Sequence, residues 1–291
     1  MGVIGLGQMG GSVAKRFLEN GYEVYAYDID ETKKKDLEKQ GAFSAESIKA
    51  VVKEVKVVLT SLPRDEILKS VTLGEEGILN SEISELTVIE ISTVLPETIE
   101  EIERQFRIKN IKLLDCPVSG GPVEAAKGNL SLIVAGELDV FNEHKSLLTV
   151  IGKDIHYLNE KVGKAKAVKL INNTMTLGNV LVAASSFSLG MSYGLDPQRL
   201  YDILCNTGGR SHHFIKRFPK VVNEDYSPLF PVALGEKDLD LTMKWSEKEG
   251  FDTEVTSFIR KFYKEAEEVG LGNEDIVAVI KSFQKSANPA F

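Results

Sequence analysis

The chain has 291 residues, of which 43% are hydrophobic, and it carries a formal net charge of −8. This composition is typical of a globular protein and excludes a disordered chain, and the acidic charge argues against a nucleic acid or an anionic membrane as partner. Two cysteines without CxxC spacing and an N-terminus without a leader pattern predict a protein of the reducing cytoplasm. We expect no segment to cross a bilayer, because no apolar run looks long enough. A small molecule is therefore the expected ligand.

A glycine-rich motif follows the first apolar run of the chain. Met1 to Ile4 can end a strand, Ser12 to Glu19 has helical spacing, and Glu23 to Tyr27 alternates like a second strand. Between such elements, a GxGxxG motif permits a tight turn, a close approach of the backbone to a pyrophosphate and close packing of the helix on the strand. The alternative is a glycine turn without a ligand. The residues predicted to bind a dinucleotide here are Gly5, Leu6, Gly7, Gln8, Met9 and Gly10.

Asp28 follows the second predicted strand, about 20 residues beyond the glycines, where a carboxylate commonly binds a ribose. A carboxylate accepts hydrogen bonds from the ribose 2′-hydroxyl and repels a 2′-phosphate. The sequence therefore favours NAD over NADP. Either Asp28 or Asp30 can instead cap the helix that begins near Glu31, and this alternative suits Asp30 better.

Strands and helices alternate from residue 1 to residue 161, which predicts a Rossmann-type domain with a parallel sheet. Helical spacing extends over Pro96 to Phe106, with Thr93 and Pro96 as start signals, and over Val140 to Leu148. Leu62 and Pro63 follow one predicted strand, and Thr93 follows the next. Ligands of open α/β sheets bind at these strand ends, so the three residues are predicted to contact the cofactor. The alternative is a pair of capped turns.

A second glycine cluster spans Asp115 to Pro122. The N–H groups of Gly120 and Gly121, together with the hydroxyl of Ser119, would form a cradle for a substrate carboxylate. The alternative is a tight loop whose glycines serve only to adopt positive φ angles.

The strand pattern ends near residue 162, and the remainder of the chain, 162–291, is predicted to be all-helical, with substrate and oligomerisation roles. A helix of about 30 residues, or roughly 45 Å, joins the two domains. Further helices are predicted from Asp196 with Pro197, over Glu236–Glu249, Thr253–Glu268 and Asn273–Lys285. The sequence contains no internal repeat or low-complexity linker, so we expect the two halves to share an interface and a cleft.

Lys169 and Asn173 are four residues apart, so the long helix places them on one face. Partial burial lowers the pKa of a lysine toward the range of general acid/base catalysis, and a nearby amide can orient a substrate. The spacing makes Lys169 and Asn173 candidates for a catalytic pair. Lys164 and Lys166 lie close by, and the alternative is a solvated basic face; the choice of Lys169 depends on its spacing from Asn173.

These motifs together resemble the β-hydroxyacid dehydrogenases, whose members include 3-hydroxyisobutyrate dehydrogenase and tartronate semialdehyde reductase. The family's GLGxMG, D-x-PVSGG-P, glycine-led K-x-x-N-N and late KDL motifs all occur here in order. The resemblance implies that Ser119, Gly120 and Gly121 bind the substrate carboxylate, that Lys169 is the general acid/base and that Asn173 holds the substrate. It also implies that Thr93 lies near the nicotinamide and that Lys237 closes over the cofactor.

The chain departs from the family pattern at three positions. Ala165 replaces a usual glycine, Cys116 replaces a usual alanine, and Glu124 stands where a small residue is common. Glu124 and Cys116 are expected to alter the fit of the substrate. His212 and His213 suggest a metal site, but no carboxylate or cysteine has suitable spacing, so we expect none.

The expected activity is reversible NAD-dependent oxidation of a small β-hydroxyacid of the 3-hydroxyisobutyrate type to its semialdehyde or keto form. Alternatives with the same fold are a reductase of tartronate, succinic or glyoxylate-type semialdehydes, an imine reductase, a decarboxylating sugar-acid enzyme or a non-catalytic cofactor-binding scaffold. Imine reducers lack the lysine, and sugar-acid enzymes have a larger helical domain. The long apolar helix also predicts a homodimer or a homotetramer.

Overall fold

The computed structural model describes residues 1–81 and 85–286 of the chain. Its internal contacts divide the chain after Lys169 into two compact units, Met1–Lys169 and Leu170–Phe291. The first unit is an α/β unit and the second is helical. The predicted fold class, a Rossmann-type N-terminal domain followed by a long helix and an all-α region, is confirmed.

The first unit is built on one sheet, to which the described residues contribute nine strands in the order β3-β2-β1-β4-β5-β6-β8-β7, with β9 beside β8. The strands from β3 to β6 are parallel, and β8 runs antiparallel to β6. The order 3-2-1-4-5-6 of the first six strands is that of dinucleotide-binding sheets. The strands are β1 (Gly2–Ile4), β2 (Tyr25–Tyr27), β3 (Phe43–Ser44), β4 (Val57–Thr60), β5 (Leu86–Glu90), β6 (Ile111–Asp115), β7 (Val118–Ser119), β8 (Leu130–Ala135) and β9 (Gly152–Asn159).

Apolar residues cover both faces of this sheet. Neighbouring residues of one strand belong to different buried clusters. Val3 and Leu59 lie in one cluster, and Ile4 and Val58 lie in the other. Burial on both faces explains the continuous apolar strands, since helices cover both sides. The helices are α1 (Gln8–Glu19), α2 (Glu31–Glu38), α3 (Ile48–Glu54), α4 (Asp65–Leu73), α5 (Pro96–Ile108), α6 (Pro122–Ala126) and α7 (Leu138–Ile151).

Helix starts in this unit follow local capping rules. Asp30 caps α2 by accepting a hydrogen bond of 2.9 Å from the backbone N–H of Thr32, as the sequence suggested. Helix α5 begins at Pro96 with Leu95 as its N-cap, so Thr93 is not the start signal that the sequence suggested. Thr93 therefore remains in the loop after β5.

The second unit contains most of helix α8 (Lys164–Ser192), which begins in the first unit. Leu177, Val180 and Phe187 of α8 are buried against Phe218 and Tyr263. The other helices are α9 (Pro197–Leu204), α10 (His212–Val222), α11 (Val232–Lys248), α12 (Glu254–Ala266) and α13 (Ile280–Ser286), with shorter turns at Glu267–Leu271 and Ile276–Val279.

Two sequence expectations for this unit were wrong. Helix α11 begins at Val232 rather than Glu236, and the predicted helix Asn273–Lys285 begins only at Ile276, as a 3-10 turn that continues into α13. The later start follows from Asp275, the N-cap, whose carboxylate accepts a hydrogen bond of 3.2 Å from the N–H of Val277.

Helix α8 corrects the expectation that no apolar run is long enough to cross a bilayer. Its 29 residues contain a window of mean hydropathy 1.2, which suffices for a membrane span by length and composition alone. The core helix of a folded domain meets the same criterion, and α8 supplies such a core. The criterion is therefore weak evidence for a membrane span.

Candidate active site

The three glycines of the first loop have different surroundings. Gly5 has a φ of +90°, and a Cβ added there would lie 2.2 Å from the carbonyl oxygen of Ser61. A Cβ added at Gly10 would lie 1.9 Å from the carbonyl oxygen of Gly5. A Cβ at Gly7 would meet no described atom within 4 Å. Gly5 and Gly10 are thus required by the fold, whereas the space beside Gly7 is open to a ligand.

Helix α1 begins directly after Gly7, and its first turn contains Gln8, Met9 and Gly10. Gly7 is the N-cap and supplies no side-chain cap, and the first turn contains no acidic residue. Such a helix N-terminus offers N–H groups and the positive end of its dipole to an anion. The open space and the helix start fit the pyrophosphate of a dinucleotide.

Asp28 lies beside this loop at the end of β2. Its carboxylate accepts hydrogen bonds from the N–H of Leu6 at 2.6 Å and from the N–H of Asp30 at 2.9 Å. The Nζ of Lys33 is 3.9 Å from the same carboxylate. Asp28 is therefore held next to the glycine loop, where a ribose hydroxyl could still reach its remaining lone pairs.

Ser92 connects the next two strand ends. Its hydroxyl accepts a hydrogen bond of 2.8 Å from the N–H of Leu62, and its own N–H donates to Glu90 Oε1 at 2.7 Å. Pro63 is exposed and Thr93 is half-buried in these two loops. The structure thus brings Leu62 and the loop that carries Thr93 together at the carboxyl edge of the sheet.

In the second glycine cluster, Ser119 is the last residue of β7. Gly120 has a φ of +122°, so this position does require a glycine. The N–H of Gly121 donates a hydrogen bond of 2.7 Å to Glu124 Oε2, which caps α6. Of the three groups predicted to form a carboxylate cradle, the Gly121 N–H is thus engaged by a carboxylate of the protein itself.

The three lysines at the start of α8 have different environments. Lys164 is exposed, Lys166 is completely buried and Lys169 is half-buried. The Nζ of Lys166 lies 2.5 Å from Glu90 Oε2 and 3.2 Å from Asp115 Oδ1. A substrate cannot reach Lys166 in this state, which supports Lys169 as the choice among the three.

The charge cluster formed by Lys166, Glu90 and Asp115 was not predicted from the sequence. Burial raises the pKa of both carboxyl groups, although the Lys166 ammonium opposes the shift, and attraction to the two carboxylates raises the pKa of Lys166 despite its burial. Burial also raises the pKa of the neighbouring Cys116 thiol to about 12, so this cysteine is not a nucleophile. The only sequence signal for the cluster was an acidic residue at the end of each of two apolar strands.

In the second unit, Asn173 lies beside the late KDL motif. Its Nδ2 donates a hydrogen bond of 2.6 Å to Asp238 Oδ2, and Lys237 Nζ lies 3.1 Å from Asp238 Oδ1. Lys237 and Asp238 lie inside α11 rather than at a helix start as the sequence suggested. Asp238 was not singled out from the sequence, although the adjacent Lys237 was.

His213 lies in the first turn of α10 and does not present its nitrogens to a metal. Its Nδ1 accepts a hydrogen bond of 3.3 Å from Arg217 Nε, and its Nε2 is 3.1 Å from the hydroxyl of Thr176. Burial and the Arg217 charge lower the pKa of His213 to about 4. The ring is therefore neutral and fixed, with its Nε2 hydrogen directed at Thr176.

Two family models match the chain, one on each side of residue 160. The NAD binding domain of 6-phosphogluconate dehydrogenase matches residues 1–159, and NAD-binding of NADP-dependent 3-hydroxyisobutyrate dehydrogenase matches residues 163–283. The 2-(hydroxymethyl)glutarate dehydrogenase of Eubacterium barkeri is 31% identical over 286 residues, covering 98% of this chain and 95% of that protein. The chain belongs to the β-hydroxyacid dehydrogenase family.

Other dehydrogenases are similar to the present chain over nearly its whole length. The L-threonate dehydrogenase of Cupriavidus necator is 30% identical and covers 97% of this chain and 95% of its own. The crystal structure of 3-hydroxyisobutyrate dehydrogenase from Salmonella typhimurium has a TM-score of 0.87 at 26% identity, covering 97% of this chain and 99% of that one. Membership in this family implies a nicotinamide cofactor and an oxidoreductase activity on hydroxyacids, and it confirms the resemblance.

Proposed function

We propose that this dehydrogenase prefers NAD and interconverts a small β-hydroxyacid with its semialdehyde or keto form, with Lys169 as general acid/base. The observation that carries the proposal is the sorting of the lysines of α8. Lys166 is locked between two carboxylates and Lys164 is exposed, whereas Lys169 is half-buried and one helical turn from Asn173. A proton carrier and an orienting amide thus share one helix.

Each residue has a definite part in the proposed reaction. When bound, the nicotinamide supplies the acceptor or donor of two electrons and one hydrogen. In oxidation, the neutral amine of Lys169 removes the hydroxyl proton of the alcohol; in reduction, its ammonium returns that proton to the carbonyl oxygen. The hydroxyl of Ser119 and the N–H of Gly120 donate hydrogen bonds to the substrate carboxylate. The Gly121 N–H also donates to it once its hydrogen bond to Glu124 is broken.

Asn173 has a fixed orientation in this proposal. One N–H of its amide is used by Asp238, and its Oδ1 accepts a hydrogen bond of 3.1 Å from Asn172. A primary amide has two N–H donors, so the second is available to a substrate oxygen. Asp238 therefore determines how Asn173 presents its amide.

The preference for NAD rests on Asp28. Its carboxylate, held by Leu6, would accept hydrogen bonds from the ribose hydroxyls and repel a 2′-phosphate. Lys33 offsets part of this negative charge, but it is 45% exposed and is shared with Asp30 at 3.8 Å. The carboxylate is therefore the stronger influence, because exposed ion pairs are screened by solvent.

We infer a substrate that carries a carboxylate and a nearby hydroxyl group. The family relatives act on compounds named 2-(hydroxymethyl)glutarate, L-threonate and 3-hydroxyisobutyrate, which share these two groups. A compound of the 3-hydroxyisobutyrate type is the first candidate. The second is a small semialdehyde acid, which the same residues would reduce.

A substrate panel with both cofactors tests this function. The panel contains 3-hydroxyisobutyrate, L-threonate, serine, glycerate and small semialdehyde acids. We expect turnover with at least one, and we expect Lys169→Ala to lower kcat by about 10²- to 10⁴-fold, the usual contribution of a general acid/base. NADH binding, followed by fluorescence, should persist in this variant, and Lys164→Ala is the matched control. Full activity of Lys169→Ala would refute the assignment.

We also propose that α8 forms a contact between copies of the chain. The run 170–195 contains no charged residue. Four apolar side chains on the side of α8 away from its core are 48 to 72% exposed, namely Ile171, Met175, Val182 and Leu189. An exposed, uncharged apolar stripe of this kind is typical of a protein interface. Light scattering should show a dimer or a tetramer that Val182→Glu dissociates and Lys109→Glu, an exposed change elsewhere, leaves intact; a monomeric wild type would refute the proposal.

A further inference from the structure

A buried ion cluster lies at the start of α8. The side chains of Lys166, Glu90 and Asp115 are all 0% exposed. Besides its two ion pairs, the Lys166 ammonium donates a hydrogen bond of 3.1 Å to the backbone carbonyl of Glu90. One side chain of α8 is therefore fixed to the ends of two strands, β5 and β6.

Each carboxylate of the cluster also binds backbone at a second position. Glu90 Oε1 accepts from the N–H of Ser92 at 2.7 Å, and Asp115 Oδ2 accepts from the N–H of Gly163 at 2.8 Å. Gly163 directly precedes α8, so Asp115 binds the backbone just before the helix, while Lys166 binds the sheet from within its first turn. The start of α8 is thus attached to the sheet at two points.

We propose that Lys166 is a positioning residue that fixes the start of α8 on the sheet and thereby sets the position of Lys169. The proposal rests on the proposed function of Lys169. Lys169 is three residues further along, about 4.5 Å along the helix axis, so any shift of the Lys166 anchor moves it as well. Misplacement of a reacting group by about 1 Å can reduce turnover by about 10²-fold.

The variants must separate the positioning role from an effect on folding. Buried ion clusters contribute little net stability, because desolvation of the charges opposes their attraction. Removal of one partner is destabilising, because the remaining buried charge is no longer compensated. Lys166→Met alone would leave two carboxyl groups without their cation, and its folding could suffer. The double variant Lys166→Met with Glu90→Gln removes the cation and one of the two carboxylates and keeps an acceptor for the Ser92 N–H. Asp115 remains, and it keeps its hydrogen bond from the Gly163 N–H.

The experiment compares the full-length double variant with Lys164→Met, a change at an exposed lysine in the same turn. Three quantities are measured: kcat and KM with the substrate that the panel identifies, NADH affinity by fluorescence, and amide hydrogen exchange by mass spectrometry. We expect the double variant to lose about 10²-fold in kcat with KM and NADH affinity nearly unchanged. Exchange should accelerate over residues 163–169 and be unchanged at Leu62, and Lys164→Met should match the wild type in every measurement.

Two outcomes would overturn the positioning role. One is a double variant with the kcat of Lys164→Met; the other is unchanged exchange over residues 163–169, which decides the matter even if no panel compound is turned over. Failure of the proposed function is distinguishable, because it appears as full activity in Lys169→Ala or as absence of turnover in the wild type. Accelerated exchange over 163–169 with normal exchange at Leu62 supports the anchor in either case.

Discussion

Two glycines of the same loop should respond in opposite ways to the same added methyl group. At Gly10, the new Cβ would lie 1.9 Å from a backbone oxygen, that of Gly5, which cannot rotate away. Overpacking of this kind costs about 1–3 kcal/mol, or about 2–12 °C in Tm at about 2–4 °C per kcal/mol for a unit of this size. At Gly7, the Cβ would meet no described atom within 4 Å, and its φ of −62° suits any residue. Gly7→Ala should therefore fold as the wild type does.

Cofactor binding should show the reverse pattern. If the pyrophosphate occupies the open space at Gly7, a methyl group there should weaken NADH binding by at least about tenfold, or about 1.4 kcal/mol. Thermal unfolding and NADH fluorescence titration of Gly7→Ala and Gly10→Ala provide both measurements on the same samples. Equal losses of Tm in the two variants, or wild-type NADH affinity in a folded Gly7→Ala, would refute this placement of the cofactor.

Three further predictions concern single side chains. Asp28→Asn should raise the ratio of kcat/KM with NADP to that with NAD, measured side by side, because the charge that repels a 2′-phosphate is gone; a wild type that prefers NADP would contradict it. His213→Gln should flatten the pH dependence of Tm: burial lowers the pKa of His213 from 6.5 to about 4, so its contribution is complete above pH 6.5 and is lost as the pH falls toward 4. An equally steep loss in His213→Gln would exclude this histidine as the cause. Glu124→Ala should lower KM for the hydroxyacid, since it releases the Gly121 N–H, and should lower Tm through loss of the α6 cap; an unchanged KM would mean that Gly121 takes no part in the cradle.

The sequence predicted the fold well because local rules act strongly in parallel α/β units. Glycine turns, buried apolar strands and capping residues such as Asp30 all act within a few residues of the chain. The errors arose where distant contacts decide. Asp275, which caps the last helical run and sets its start at Ile276, also binds Arg217 of α10. Helix α10 itself escaped prediction, and Pro219 inside it hides the helical pattern.

The candidate site was likewise predictable only where its residues lie in one short segment. Motif spacing led to Gly7, Asp28 and Lys169, because each motif lies within one short segment. Glu90 and Lys166 are 76 residues apart, so only the folded sheet brings them together. The hydrogen bond from the Gly121 N–H to Glu124 was also visible only in the structure. The sequence showed that Glu124 is unusual for the family but not what it contacts.

The buried cluster also bears on why this helix begins as it does. Lys166 lies in the first turn of α8, at the positive end of the helix dipole, and it is fully buried, so two effects disfavour its charge. Glu90 and Asp115 offset both effects, yet an apolar side chain of similar volume at such a site is often as stable or more so. Stability alone therefore gives little reason for a lysine here. A fixed distance between the sheet edge and Lys169 does give a reason, because a proton carrier must stand within about 3 Å of its substrate oxygen in the reacting complex.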